Sequence, residues 1–474
     1  MSAQKLLIIG LDCGAPQLVF EAWRAHLPNL NRLMSHGAYG ILQSCTPCIT
    51  VPAWSVMTSG KDPGVLGIYG FRNRADYSYN KLSIATGNAV KEKRVWDYLS
   101  EANKQVITIG VPGTYPPRPV NGLQIGCFLT PQTITTDANG QRVSKVFTYP
   151  PELSAQVNAL AGGEYLPDVK NFRTDDKADL LQQIYAMTKQ HFVVVRAMLK
   201  REPWDFFMFV EMGTDRIHHG FWKYHDRSHR LYEPGNPFEN AIHDYYRYLD
   251  GEIGSVLELI DEDTAVLVVS DHGVKKMDGG ICVNEWLIRE GWLTLAQERP
   301  TQPTPIEQVK VDWAKTKAWG EGGYYARIFM NVAEREPHGL IPLTDYERER
   351  DKLADAIRNL RGPNGEALGT KVYKPQDIYQ TVNGIAPDLI VYWGDLTWRS
   401  VGSLGHPAIW TFENDTGPDD ANHAPEGMLI YYNPRMPLAG RQLQNLEIMD
   451  VAPTVLQHFG LTVPASIQGR PLAF

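Results

Sequence analysis

The chain has 474 residues, 43% of them hydrophobic and 21% charged, with a formal net charge of −8. That balance belongs to a folded globular protein and excludes a disordered chain. The acidic excess speaks against a nucleic-acid polymer or an anionic membrane as partner, because both require clustered Lys and Arg.

The first element is "KLLIIGLD", an apolar run over 5–12 that reads as a strand ending in Asp12. It is too short to span a bilayer and carries no small-residue cleavage site, so a cytoplasmic protein is expected. Next comes "CTPCITVPAWSVMTSGKDPG", in which Thr50 sits between an apolar stretch and a Pro-Ala-Trp turn. Thr50 either caps the helix through "AWSVMTSG" or serves chemistry. "GKD" lacks the spacing of a phosphate-binding loop, so Lys61 is expected to be a solvated surface charge. The five cysteines, Cys13, Cys45, Cys48, Cys127 and Cys282, form an odd set with one unrepeated Cys-x-x-Cys, which argues against a disulfide framework.

Further along, "QVITIGVP" (105–112), "WDFFMFVEM" (204–212), "TAVLVVSDHG" (264–273), "DLIVYW" (388–393) and "GMLIYYN" (427–433) read as strands, several apolar on both faces. One helix is marked by Leu180, Ile184, Met187 and Val195, another by Ile242, Leu249, Ile253, Val256 and Ile260. Strands alternating with helices imply an α/β protein: a three-layer α/β/α sandwich on a mostly parallel sheet, in a single domain over 1–474. Two irregular stretches, 113–178 and 296–385, read as insertions that shape a pocket, the second as a small inserted α+β lobe.

Chemistry in such sheets gathers beyond the carboxyl ends of the strands. There the sequence puts Asp12, then Asp215 and His219, then Asp271 and His272. Asp215 and His219 fall about 40° apart on one helical face, so both can reach one ion. Each residue alone has an ordinary explanation, as a helix cap or a packed histidine. Three strand ends delivering carboxylates and imidazoles together point instead to a metal centre. Oxygen and nitrogen donors without cysteine suit zinc or manganese, and two such ions need about six ligands and a nucleophile. The sixth ligand should be a later histidine: His423 in "DTGPDDANHAPEG", or His406 in "LGHPAIW".

These residues, with "TPCITVPAWSVMTSGKDPGVLGI", "TDRIHHGFW", "VVSDHG", "NHAPEG" and "IMDVAPTVLQHFGL" in that order, resemble the type I phosphodiesterase and nucleotide pyrophosphatase branch of the alkaline phosphatase superfamily. The resemblance implies an alkaline phosphatase-like fold and a metal-dependent phosphohydrolase acting through a phosphothreonine at Thr50. It also implies two divalent ions, Zn²⁺ or Mn²⁺, one among Asp12, Thr50, Asp271 and His272 and the other among Asp215, His219 and His423. His218 falls where relatives vary and is not counted as a ligand. The implied partner is a small phosphate ester or nucleotide.

Departures from the family pattern bear on substrate binding. The phosphate-holding Asn of many relatives would fall on Phe71, which leaves Phe71, Arg72 and Arg74 as the substrate-binding candidates. Leu66-Gly67-Ile68 stands where relatives often have His-Gly-Ile. Two divalent ions, three aspartates and a threonine alkoxide make a first shell about neutral, which favours a singly charged diester, with Arg72 or Arg74 available for a monoester. A phosphate monoesterase or a phosphomutase-type transferase is the alternative, and a non-catalytic scaffold a more distant one. A sulfatase is disfavoured, because neither cysteine window contains the required arginine. "CFLTP" (127–131), Trp54, Tyr69 and Arg335 are the candidates to touch the leaving group.

Overall fold

A computed structural model describes residues 5–136 and 140–474. The first four residues, ahead of the "KLLIIGLD" strand, and residues 137–139 of the 113–178 stretch lie outside it.

The centre is a ten-stranded mixed sheet. Strand β1 (Lys5–Leu11) lies in its middle. Seven further strands follow in the chain: β2 (Ala38–Gln43), β3 (Val106–Ile109), β4 (Gly122–Ile125), β5 (Thr148–Tyr149), β6 (Phe206–Glu211), β7 (Thr264–Val269) and β8 (Glu426–Tyr432). In space the order is β2-β8-β7-β1-β6-β3-β4-β5, with two short strands, Arg441–Gln442 and Leu446–Glu447, beside β2. The run from β7 to β4 is parallel, whereas β8 is antiparallel to both β7 and β2.

Side chains alternate across a strand, so a sheet covered on both sides needs apolar residues at every position. In β1, Leu7 and Ile9 pack into one core with Leu180, Ile184, Leu249 and Ile253. Leu6 and Ile8 pack into the opposite core with Val56, Trp96 and Val455. Helices therefore lie on both faces: α1 (Thr50–Ser59) on the second, and α2 (Lys177–Arg201), α3 (Gly213–His225) and α4 (Ala241–Leu257) on the first. Ile260 falls just beyond α4 and packs on the first core.

Three sequence expectations change. The run 388–393 does form a strand, Leu389–Tyr392, but it pairs with Ala326–Met330 and Lys371–Tyr373 in a separate four-stranded antiparallel sheet. That sheet has its own core around Trp319, Leu353 and Trp393. The stretch 113–178, read as an irregular insertion, also gives β4 and β5 to the central sheet. Lys61 is not a solvated charge: it is 5% exposed and ion-paired to Glu92. Among the described residues no helix is long and apolar enough to cross a membrane.

Candidate active site

The carboxyl ends of β1, β6 and β7 lie side by side, and each hands its chain to the same place. Asp12 follows β1, α3 follows β6 with Asp215 and His219 on one face, and Asp271-His272 follow β7. His423 arrives by a different route. A short strand, Gly273–Lys276, pairs antiparallel with Ala421–Ala424, placing His423 opposite Val274 and above His272. The two imidazoles stack with centroids 3.7 Å apart.

The donor atoms converge. His219 Nε2 lies 3.3 Å from Asp215 Oδ1 and 3.2 Å from His423 Nε2. His272 Nε2 lies 3.2 Å from Asp271 Oδ2 and 3.8 Å from Asp12 Oδ1. Asp215, His219 and His423 form one trio of potential ligands, and Asp12, Asp215 and His272 another, each with donor atoms within 4.8 Å of one another. All these groups are buried.

The hydrogen bonds around them set the tautomers. His272 Nδ1 faces the Gly273 carbonyl at 3.1 Å and His423 Nδ1 the Cys48 carbonyl at 3.0 Å. A carbonyl only accepts, so each Nδ1 carries the proton and each Nε2 presents a lone pair to the centre. His219 Nδ1 likewise faces Asp419 Oδ1, at 2.7 Å. The carboxylates are steered in the same manner. Trp54 Nε1 donates to Asp12 Oδ2 at 2.7 Å and the Cys13 amide to Asp271 Oδ1 at 3.1 Å. The other oxygens, Asp12 Oδ1 and Asp271 Oδ2, are buried without a hydrogen-bond partner among the described residues. Gly10 permits this arrangement, for a Cβ there would stand 2.6 Å from the Trp54 ring.

Buried acceptors facing one another are costly unless something positive lies between them. Burial, and then the neighbouring Asp215, pushes the Asp12 carboxyl well above its usual range; burial and Asp12 do the same to Asp271. Burial alone would raise Asp215 too, but His219 and Arg216 hold it down. Burial lowers His272 to about 4, and burial, with His272 and His219 adding to it, lowers His423 well below its ordinary value. His219 runs the other way, to about 9, because Asp419 and Asp215 outweigh its burial. Only a proton or a cation can sit between nitrogens that close, and divalent cations fit this donor set.

Thr50 is the first residue of α1, one past the N-cap Ile49, and its Oγ1 faces His272 Nε2 at 3.5 Å. Helix N-termini favour anions, and Thr50 sits at one. It opens onto a cleft of about 630 Å³ whose wall includes Phe71, Arg72, Phe128, Tyr324 and Arg399.

Other candidates are placed elsewhere. Arg74 does not reach the cleft; its guanidinium is buried against Glu336 Oε1 at 2.9 Å and lies over the Trp319 and Phe329 rings. Asn73, between Arg72 and Arg74 in the chain, accepts from the Tyr69 amide and donates to the Gly70 carbonyl, closing a turn. His406 bonds Ser403, away from the cluster, and His218 faces Tyr246. Trp54 serves Asp12, Tyr69 bonds the Asn383 carbonyl, and Arg335 is held by Asp388 and Glu336. Of the 127–131 run, Phe128 lines the cleft.

Two residues escaped the sequence reading. Asp419 takes His219, Arg173 Nε at 3.1 Å and the Tyr324 hydroxyl at 2.9 Å. Tyr324 in turn stacks on His219. The signal for Asp419 was the paired aspartates four residues ahead of His423; nothing local marked Tyr324.

Residues 6–422 match the family described as type I phosphodiesterase / nucleotide pyrophosphatase. The chain belongs to that family. No curated protein shows significant sequence similarity to it. Among solved structures it is similar to human ectonucleotide pyrophosphatase/phosphodiesterase 5, with 13% identity and a TM-score of 0.54, covering 97% of this chain and 96% of that one. The murine protein gives a TM-score of 0.55 at 13% identity with the same coverage, both by itself and as an inactive variant in complex with AMP. The fold is thus alkaline phosphatase-like, as the motif order implied. As a type I phosphodiesterase / nucleotide pyrophosphatase the chain is a phosphoric ester hydrolase of a metal-dependent family, and its two buried trios are candidate metal-binding groups.

Proposed function

We propose that this phosphodiesterase uses Thr50 as a covalent nucleophile on a small phosphodiester or nucleotide pyrophosphate. Two divalent cations, zinc by the nitrogen and oxygen donors, would be held by Asp12, Thr50, Asp271 and His272 and by Asp215, His219 and His423. When bound they supply positive charge that favours ionised Thr50 and counters the charge on the phosphoryl oxygens. The observation that carries this reading is the convergence of three Nε2 atoms and two carboxylate oxygens, unpartnered among the described residues, beside the Thr50 hydroxyl.

The residues then divide the work. Thr50 Oγ1 attacks phosphorus, the alcohol or nucleotide leaves, and water hydrolyses the phosphothreonine. Trp54 and the Cys13 amide hold Asp12 and Asp271 in register, while Asp419 fixes His219. The positive end of α1 faces the attacked group. Arg72, exposed on the cleft wall, stands where a phosphate oxygen of the substrate can reach it, and Phe71 and Phe128, in edge-to-face contact, form an apolar side for the leaving group.

The deciding experiment is a substrate panel on chelated and zinc- or manganese-restored protein: a nitrophenyl monoester, a nitrophenyl diester, a nucleotide pyrophosphate and a sulfate ester. Diester or pyrophosphate turnover that disappears on chelation and returns with metal supports the reading. Preferential monoester turnover sinks it.

A further inference from the structure

Arg399 lies on the strand Trp398–Val401 and forms part of the cleft wall shared with Thr50. It is 5% exposed. Its charge is poorly met: Nη2 lies 3.5 Å from Asp415 Oδ1, Nη1 3.5 Å from Thr416 Oγ1, and Nε has no hydrogen-bond partner among the described residues. Buried guanidinium groups ordinarily sit in short, often bidentate, contacts. Arg216, on the same cleft, does so, donating from Nε and Nη2 to Asp168 at 2.8 and 2.7 Å. Burial accordingly lowers the Arg399 pKa, a sign that its desolvation is not repaid by its neighbours.

A guanidinium whose donors are incompletely satisfied, on a residue that lines the cleft, fits an oxyanion. Arg399 also borders a second cavity of about 420 Å³, where Asp175, Glu413, Asp419 and Asp420 outnumber the cations Lys223, Arg230 and Arg399. On the cleft side, by contrast, Arg72, Arg173, Arg216, Arg327 and Arg399 balance the carboxylates Asp168, Asp215, Glu307, Glu321 and Asp415. The cleft side is therefore where a ligand would complete the guanidinium's contacts.

Building on the diesterase reading, we propose that Arg399 is a specificity-determining residue that binds a second phosphate group on a substrate whose scissile phosphate lies at Thr50. The favoured substrates then carry two or more linked phosphates, and those with one phosphate forgo this contact.

The test compares ATP with the 4-nitrophenyl ester of adenosine 5′-phosphate, which share the adenosine phosphoryl group but differ in the charge of the leaving group. In zinc-loaded Arg399→Met the ratio of kcat/KM for ATP to that for the ester should fall about tenfold, through KM, with Arg399→Lys intermediate. A ratio unchanged from wild type, or an equal loss on both substrates, overturns the proposal. A second readout needs no turnover. Tripolyphosphate should bind zinc-loaded Thr50→Ala protein at least fivefold more tightly than the Thr50→Ala/Arg399→Met double variant in calorimetry, and equal affinity overturns the proposal. Wild-type protein inactive on both substrates would remove the proposed nucleotide diester and pyrophosphate reading, and the calorimetric comparison would then decide Arg399 alone.

Discussion

His219 and Asp419 are joined Nδ1 to Oδ1 across 2.7 Å, on a carboxylate that also takes Arg173 and Tyr324. Asp419 is held ionised because His219, and then Arg173 and Arg399, outweigh its burial. The bond fixes the ring so that Nε2 faces Asp215 and His423. Outer partners of this kind are worth about 10–100-fold in metal affinity. Asp419→Asn is expected to lose zinc affinity within that range in a chelator competition, with its circular dichroism unchanged. Affinity equal to wild type would show that the ring is held by packing alone.

The hydroxyl of Thr50 separates two outcomes. Thr50→Ala should keep the fold and lower kcat by roughly a thousandfold or more, as loss of a nucleophile does in other covalent enzymes. Thr50→Ser, which retains a hydroxyl, should keep measurable turnover. Acid quenching during turnover should leave phosphate on residue 50, read by mass spectrometry; phosphate on another side chain would move the nucleophile.

The crowded carboxylates lead to the prediction that the fold itself responds to added metal. Asp12, Asp215 and Asp271 are buried together, so cations that bind the native state stabilise it by mass action, about 2.7 kcal/mol at a hundredfold excess over Kd. Chelation should lower the melting temperature and zinc should restore it. An Asp12→Asn/Asp271→Asn variant should show a smaller response to added zinc.

Breaking the buried Arg74–Glu336 pair tests a structural assignment. Removing one partner leaves a buried charge alone, at a cost of about 3–5 kcal/mol. Glu336 also holds Arg335 and the Val332 amide, so Glu336→Gln should be markedly destabilised in denaturant titration. A mild stability loss with a selective rise in KM would return Arg74 to the substrate site.

His191 provides a pH signature away from the metal candidates. Nδ1 lies 3.1 Å from Glu211 Oε2 and Nε2 2.7 Å from the Leu166 carbonyl, so both nitrogens face acceptors. Burial would lower this histidine, but Glu211 outweighs it and the folded pKa is raised. Its contribution to stability is therefore full below the unfolded value of about 6.5 and is lost as pH rises through the higher folded value. Melting curves of wild type minus His191→Gln should show a difference that shrinks above pH 6.5; a difference growing with pH would contradict the charged pair.

The convergence of the candidate residues was legible because a parallel sheet presents its chemistry at strand ends; Asp12 and Asp271 close apolar runs, and Asp215 stands four residues beyond the end of another. The i, i+4 spacing of Asp215 and His219 was enough to place them on one face. What failed depends on pairing between distant segments. "DLIVYW" has the composition of a central strand, but nothing in its pattern names the sheet it joins. "AYGILQ", with a central glycine and an exposed Ile41, lacks the continuous apolarity of its neighbours, so β2 went unseen. Arg74 looked like a free loop cation because its partner Glu336 is far away in the chain.

The cleft is assembled from two sources. Thr50 and the carboxylates hang from the central sheet, whereas Tyr324 and Arg399 come from segments of other sheets. On the reading proposed above, reaction chemistry and choice of leaving group would fall to different stretches of polypeptide. Evolution can revise the second without disturbing the first, and grafting residues 318–330 and 398–416 from a relative offers a route to a new substrate preference on an unchanged catalytic base.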